Sequence, residues 1–293
     1  MQQNRGRRSF FSIVTPFLIY FGVSFAVSTL ASIILIGPKM ASIMENPNVD
    51  IAKISMELSQ EMLSHVTEIT AAGALLMIPI FLWMFRRDNK EKALFGVPER
   101  NKASIKKYPV IIFFGIVACI GFNNLLILGN TVLFSGYFQD AGASFYKAAF
   151  VLQLIGIGII TPIAEELMFR GLIYNRMISM VGVKRALWLS ALLFAFYHGN
   201  MIQGVYGFIV GYLLAYLYEK YGSMKAPILL HITMNLTSII LTEADALTWI
   251  FKDIMRVGIV TVICAAVGSN LFVFIQSMFK NEEIPEDMDI KVK

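Results

Sequence analysis

Residues 160–171, ITPIAEELMFRG, end a long apolar run with two adjacent carboxylates, Glu165 and Glu166, and then a guanidinium, Arg170. Two further stretches place hydrogen-bonding side chains in apolar surroundings. They are LFAFYHGN, with His198, and HITMN, with His231 and Asn235. The chain has 3 histidines, and two of them fall in such segments. A Glu and a His together can hold and deprotonate a water, by general-base action or through a metal that acidifies it. A second His with an Asn four residues on supplies donors for a developing oxyanion. Taken together, the set suits hydrolysis of an amide bond.

Spacing assigns the parts. On a helix Glu166 and Arg170 are i,i+4 neighbours in the favourable order for an ion pair, with Glu first. That pairing makes both structural and neutralises Glu166. Glu165 lies about 100° round the helix and has no charged partner three or four residues on, so it is the carboxylate left for chemistry. His231 and Asn235 are also i,i+4 and project from one helix face. Each group alone has a plainer reading: an Arg–Glu tie between helices, a hydrogen-bonded packing histidine, an Asn acting as interhelical glue. Convergence at membrane depth is what favours a site, because ionisable groups there cost about 2.5–3.5 kcal/mol or more each. Counting ~1.5 Å per residue from the nearest basic loop puts His231 about 9 Å in, Glu165 about 16 Å and His198 about 21 Å.

Other hydrolytic chemistries lack support in the sequence. No G-x-S-x-G nucleophile elbow occurs, and Cys119 and Cys264 sit inside apolar runs as small hydrophobes. H-E-x-x-H is absent, which excludes a standard zincin helix. Zinc held by Glu165, His198 and His231 stays open, because three N/O ligands leave a position for water. A metal-free carboxylate mechanism stays open beside it.

The elements that must carry these residues are membrane spans. Hydrophobic residues make up 57% of the chain, charged residues 15%, and mean hydropathy is +0.66, outside the soluble globular range. A span needs about 20 apolar residues. Eight segments meet or approach that length: 10–37, 67–86, 108–130, 145–164, 185–199, 201–219, 226–242 and 256–279. The fifth and sixth come from one uncharged stretch, divided at YHGN, where Gly199 and Asn200 favour a turn. The first run is far longer than the core of a signal peptide, so it reads as a retained span. Alternating the loops puts 20 of the 25 Lys and Arg on one side, which predicts cytoplasmic N- and C-termini.

Residues 49–66 set Ile51, Ile54, Leu58 and Met62 at helical spacing among charges, as in a helix lying on the membrane surface. His65, at its edge, reads as solvated. No basic stretch interleaves with aromatics in a polar setting, which speaks against nucleic-acid binding. Three regions follow. Residues 1–144 hold three spans with the surface helix and a basic loop, 145–242 hold the polar cluster, and 243–293 hold a last span and an acidic tail, NEEIPEDMD.

PIAEELMFRG, SALLFAFYHG and YEKYGSMKAPILLHITMNL resemble the three motifs of the CPBP family of intramembrane proteases. That family includes type II CAAX prenyl proteases and bacterial proteins associated with bacteriocin processing and self-immunity. Its pattern is E-E-x-x-x-R, then F-x-x-x-H, then H-x-x-x-N. Glu165, Glu166 and Arg170 fill the first motif, Phe194 and His198 the second, and His231 and Asn235 the third. The resemblance implies an all-α polytopic bundle of about eight spans around a polar intramembrane cavity. It further implies water activation by Glu165 and His198, with His231 and Asn235 on the oxyanion side. The expected function is an intramembrane endopeptidase acting on a peptide or membrane protein in the lipid bilayer of a bacterial cell. The alternative is a non-catalytic immunity factor or partner-binding scaffold. A transporter finds less support, since no inverted repeat of broken helices is present.

Overall fold

The computed structural model describes residues 10–44, 50–97, 99–134, 143–199 and 201–280. The polybasic N-terminus, Asn200 of the expected turn and the acidic tail lie outside them. The described chain is helical throughout, with no strand. Its helices are α1 (Phe10–Met44), α2 (Ile51–Ser64), α3 (Val66–Leu94), α4 (Pro109–Phe134), α5 (Phe150–Val181), α6 (Val183–Tyr197), α7 (Met201–Tyr221), α8 (Lys225–Glu243), α9 (Ala246–Phe251) and α10 (Ile254–Ser277). All eight expected spans are helices. Six of them, α1, α3, α4, α5, α8 and α10, are long and apolar enough to cross a membrane. With 15 residues, α6 is shorter than a full crossing. It packs instead as an antiparallel hairpin with α7. Along that seam a Cβ on Gly207 would come within 3.1 Å of His198 Nδ1, and one on Gly211 within 3.2 Å of the Ala191 Cα. Glycine there lets the two backbones approach closely.

The expected surface helix is α2. Its N-terminus is capped by Asp50, whose carboxylate accepts from the Ala52 and Lys53 amides at 3.0 and 3.2 Å. Lys39 of α1 ties to Glu61 of α2 at 2.8 Å. This neighbour lowers the Glu61 carboxyl below its ordinary value, through a hydrogen bond first and charge attraction second.

The central element is α5. From Leu167 to Met177 every residue is buried, so this stretch forms the middle of the bundle. Two parts of it, Gly156–Ile160 and Leu167–Tyr174, are π-helical, flanking the Glu pair on both sides. Pro162 stands inside α5, where α-helical winding resumes after the first π turn, and that turn shows how the helix accommodates it. In that turn the Thr161 amide bonds back five residues to the Gly156 carbonyl. The next bond in register would run from residue 162 to the Ile157 carbonyl, and proline has no N–H to give. The side-chain amide of Asn235 on α8 donates there instead, at 2.8 Å. The second π segment is completed in the same way. The Asn175 amide donates to the Arg170 and Gly171 carbonyls, both at 3.0 Å. The helix ends at Gly182, whose φ of 79° admits the left-handed exit into α6.

By contrast, α1 is held at its N-terminal half. The Arg176 guanidinium on α5 binds Asp88 of α3 at 2.6 Å and the Ser12 carbonyl of α1 at 2.5 Å. Phe17 packs edge-on against Phe169, ring centroids 5.8 Å apart. Farther along, Phe21, Phe25, Leu30 and Ile33 face outward.

Candidate active site

The first motif is divided as its spacing predicts. Glu166 and Arg170 are both fully buried and pair at 2.8 Å, Nη1 to Oε1. The π-helical winding still permits this i,i+4 contact. Arg170 also donates from Nη2 to the Gly211 carbonyl at 2.8 Å and lies over the Phe194 ring at 4.5 Å. Phe194, which fills the first position of the second motif, therefore acts as a face for the cation. Gly211, with no side chain, lets that carbonyl reach the guanidinium.

His231 joins the two glutamates. Its Nδ1 lies 2.9 Å from Glu166 Oε1, and its Nε2 lies 3.7 Å from Glu165 Oε2. A carboxylate paired with Arg170 can only accept, so Nδ1 carries a proton; with that single ring proton, Nε2 presents its lone pair. The Nε2 lone pair and Glu165 therefore face each other. The other carboxylate oxygen of Glu165, Oε1, accepts from the Tyr197 hydroxyl at 3.2 Å. Tyr197 is hydrogen-bonded in turn to Tyr20 of α1, and their rings meet at 4.9 Å.

His198 stands apart from this group. It caps the end of α6, with Nδ1 2.7 Å from the Phe194 carbonyl. A carbonyl accepts only, so Nε2 of His198 also carries a lone pair. Its ring leans on Phe194 and Tyr197, at centroid distances of 4.8 and 5.4 Å. The expected water-activating pair of Glu165 and His198 is thus not the closest one here; His231 is the histidine beside Glu165. Asn235, expected on the oxyanion side, has one N–H committed to the Ile157 carbonyl.

The zinc expectation meets the same geometry. Among the described residues, no group of three or more His, Cys, Asp or Glu side chains is spaced to hold a metal ion. Glu165, His198 and His231 do not fit as an assembled ligand set in this structure.

Glu165 opens into a cavity of about 220 Å³ between α1, α3 and α5. Tyr20, Ser24 and Ser28 line it from α1, Gly73 and Met77 from α3, and Thr161 and Glu165 from α5. Sequence reasoning assigned no part of the site to α1 or α3, and it passed over Tyr20 and Tyr197. Their signal is a hydroxyl carried at depth in an apolar run, next to His198 in the case of Tyr197.

Residues 147–237, running from the start of α5 into α8, match the family model described as Type II CAAX prenyl endopeptidase Rce1-like. No curated protein and no solved structure matches the chain. The matched segment contains Glu165, Glu166, Arg170, His198, His231 and Asn235. Over that segment the chain is similar to the Rce1-like family, consistent with the CPBP intramembrane proteases its three motifs resemble.

Proposed function

We propose that this integral membrane protein is an endopeptidase in which Glu165 activates a water against a peptide bond. The observation that carries this reading is the facing pair of Glu165 Oε2 and His231 Nε2, 3.7 Å apart, with Glu165 also lining a cavity. That separation is too long for a direct hydrogen bond, and both atoms are acceptors. A water between them satisfies both, and its two protons fix where its lone pair points. Glu166 is not placed for this role: Arg170 and the His231 Nδ1–H hold its Oε1, its Oε2 is buried, and it does not line the cavity.

The steps then follow. The water oxygen attacks the scissile carbonyl carbon as Glu165 takes one of its protons, giving a tetrahedral oxyanion. As the C–N bond breaks, Glu165 returns that proton to the leaving nitrogen, so the carboxylate is regenerated. Tyr197 holds Oε1 and keeps Oε2 turned toward His231. The Nδ1–H bond to Glu166 fixes the His231 tautomer. Asn235 acts through the backbone, keeping α5 wound where Pro162 offers no donor. His198, at the head of the α6–α7 hairpin, is reserved for the substrate side of the site. The basic loops and both termini lie on the cytoplasmic side in this reading.

The test is cleavage of internally quenched peptides by the purified protein in detergent, beside Glu165→Gln, His231→Ala and His198→Ala. The wild type cleaves, Glu165→Gln and His231→Ala lose activity while remaining folded, and a chelator leaves the wild type active. Survival of the cellular role in all three variants would favour the non-catalytic scaffold instead. Loss of activity to the chelator, restored by zinc, would assign Glu165 and His231 to a metal.

A further inference from the structure

Cleaving a peptide inside a membrane poses a problem that Glu165 does not solve. A helical substrate must unwind around the scissile bond, and its freed N–H and C=O groups have no water to bond in the hydrocarbon. They need partners on the enzyme. The cavity beside Glu165 offers them. Along α1, Tyr20, Ser24 and Ser28 follow one another at i,i+4, on one face of the helix. Opposite them, Thr70 on α3 and Thr161 on α5 add two more hydroxyls. The Thr161 oxygen is buried and makes no hydrogen bond. A buried hydroxyl without a partner costs about 1–3 kcal/mol, so it marks a place where a ligand group is missing.

We infer that the crevice between α1 and α3 is a substrate groove for a short, unwound stretch of peptide with small side chains. Its dimensions set the fit. From Tyr20 to Ser28 the α1 wall rises about 12 Å, enough for about four extended residues at ~3.3 Å each. A volume of about 220 Å³ equals roughly seven waters at ~30 Å³ each. That holds a strip of backbone with Gly, Ala or Ser side chains, and leaves no room for a row of aromatic ones. Gly73 on α3 provides a flat floor: a Cβ there would meet only the end of Met77, at 3.5 Å. The groove starts at the catalytic carboxylate, with Thr161 one helical turn before Glu165. Selection for small residues thus acts next to the scissile bond, on one side of it.

This inference rests on the endopeptidase reading, and two experiments keep the two apart. First, quenched peptides with Ala or Phe at each position near the scissile bond are compared with wild-type protein. Phe is expected to lower kcat/KM by about tenfold or more at positions on one side only. Gly73→Leu and Ser28→Leu, which fill the groove, are expected to cause a similar loss with Ala peptides. Leu75→Ala, on an exposed face of α3, leaves activity unchanged, and melting curves show that all three fold. Equal tolerance of Phe on both sides, or full activity in both filled variants, overturns the groove. Second, a photo-crosslinking residue is placed at Ser28 or at Phe25 in the Glu165→Gln background and exposed to a labelled Ala-rich peptide. Crosslinking at Ser28 well above Phe25 is the expected result, and equal or absent crosslinking overturns it. Crosslinking at Ser28 without any cleavage by the wild type would retain the groove and reject the protease.

Discussion

Replacing Arg170 tests whether the second glutamate is a brace, and the structure gives its size. Arg170 is fully buried, and its guanidinium contacts include Glu166 at 2.8 Å, the Gly211 carbonyl at 2.8 Å and the Phe194 ring at 4.5 Å. Arg170→Met keeps most of the volume but leaves the Glu166 charge in the core with only the His231 N–H. Breaking a buried pair from one side costs about 3–5 kcal/mol, and the orphaned Gly211 carbonyl adds about 1 kcal/mol or more. A loss of about 4–6 kcal/mol is about a thousandfold or more in the folding equilibrium. The double variant Glu166→Gln with Arg170→Met removes both charges, and the Gln oxygen can still accept from His231. It is expected to recover about 2–3 kcal/mol of the loss, since neutral replacements of buried pairs are often tolerated. Glu165→Gln, at a cavity wall and outside the pair, is expected to cost less than about 1 kcal/mol. Equilibrium unfolding in mixed detergent, followed by near-UV dichroism, measures all three. If Arg170→Met unfolds like Glu165→Gln, or the double variant is no better than the single, the brace is refuted.

Further outcomes follow from the same contacts. Tyr197→Phe removes the hydroxyl donating to Glu165 Oε1 at 3.2 Å; kcat is expected to fall by about tenfold or more, with KM little changed, in steady-state peptide assays. Asn235→Leu leaves the Ile157 carbonyl without a donor, and a loss of about 1–3 kcal/mol is expected. Adding Pro162→Ala, which restores a backbone N–H, should return part of that stability in the same unfolding measurement. Glu61 titrates below its ordinary value because of Lys39. A carboxyl lowered on folding stabilises at pH above its ordinary value, and that contribution is lost as pH falls through the lowered one. Carbon-13 NMR of Glu61 should show its midpoint rise toward the ordinary value in Lys39→Gln.

The pairing of Glu166 with Arg170 was legible in the sequence, because i,i+4 geometry is local and survives a change of winding. The sequence also located the eight helices, since apolar length is a property of composition. What it missed depends on contacts between distant segments or on backbone hydrogen bonding. The π turns are invisible to a 3.6-residue reading, and with them the task of Asn235: its distance in sequence from Pro162 hides that one supplies what the other lacks. Spacing put His231 and Asn235 on one face of α8, which holds, but could not say that this face meets both glutamates and the Ile157 carbonyl. The two tyrosines, Tyr20 and Tyr197, were absorbed into apolar runs because their rings pack while only their hydroxyls reach the site. Arg176 drew no attention in the sequence, yet it is buried and tied to Asp88 of α3 and the Ser12 carbonyl of α1.

The central claim is that Glu165, rather than Glu166, activates water for peptide hydrolysis. Single-turnover cleavage in oxygen-18 water, by wild-type protein and by Glu165→Gln with a matching melting curve, tests it most directly. The account predicts one labelled oxygen in the new carboxyl terminus from the wild type and no product from Glu165→Gln. Product formed by Glu165→Gln at the wild-type rate would contradict it.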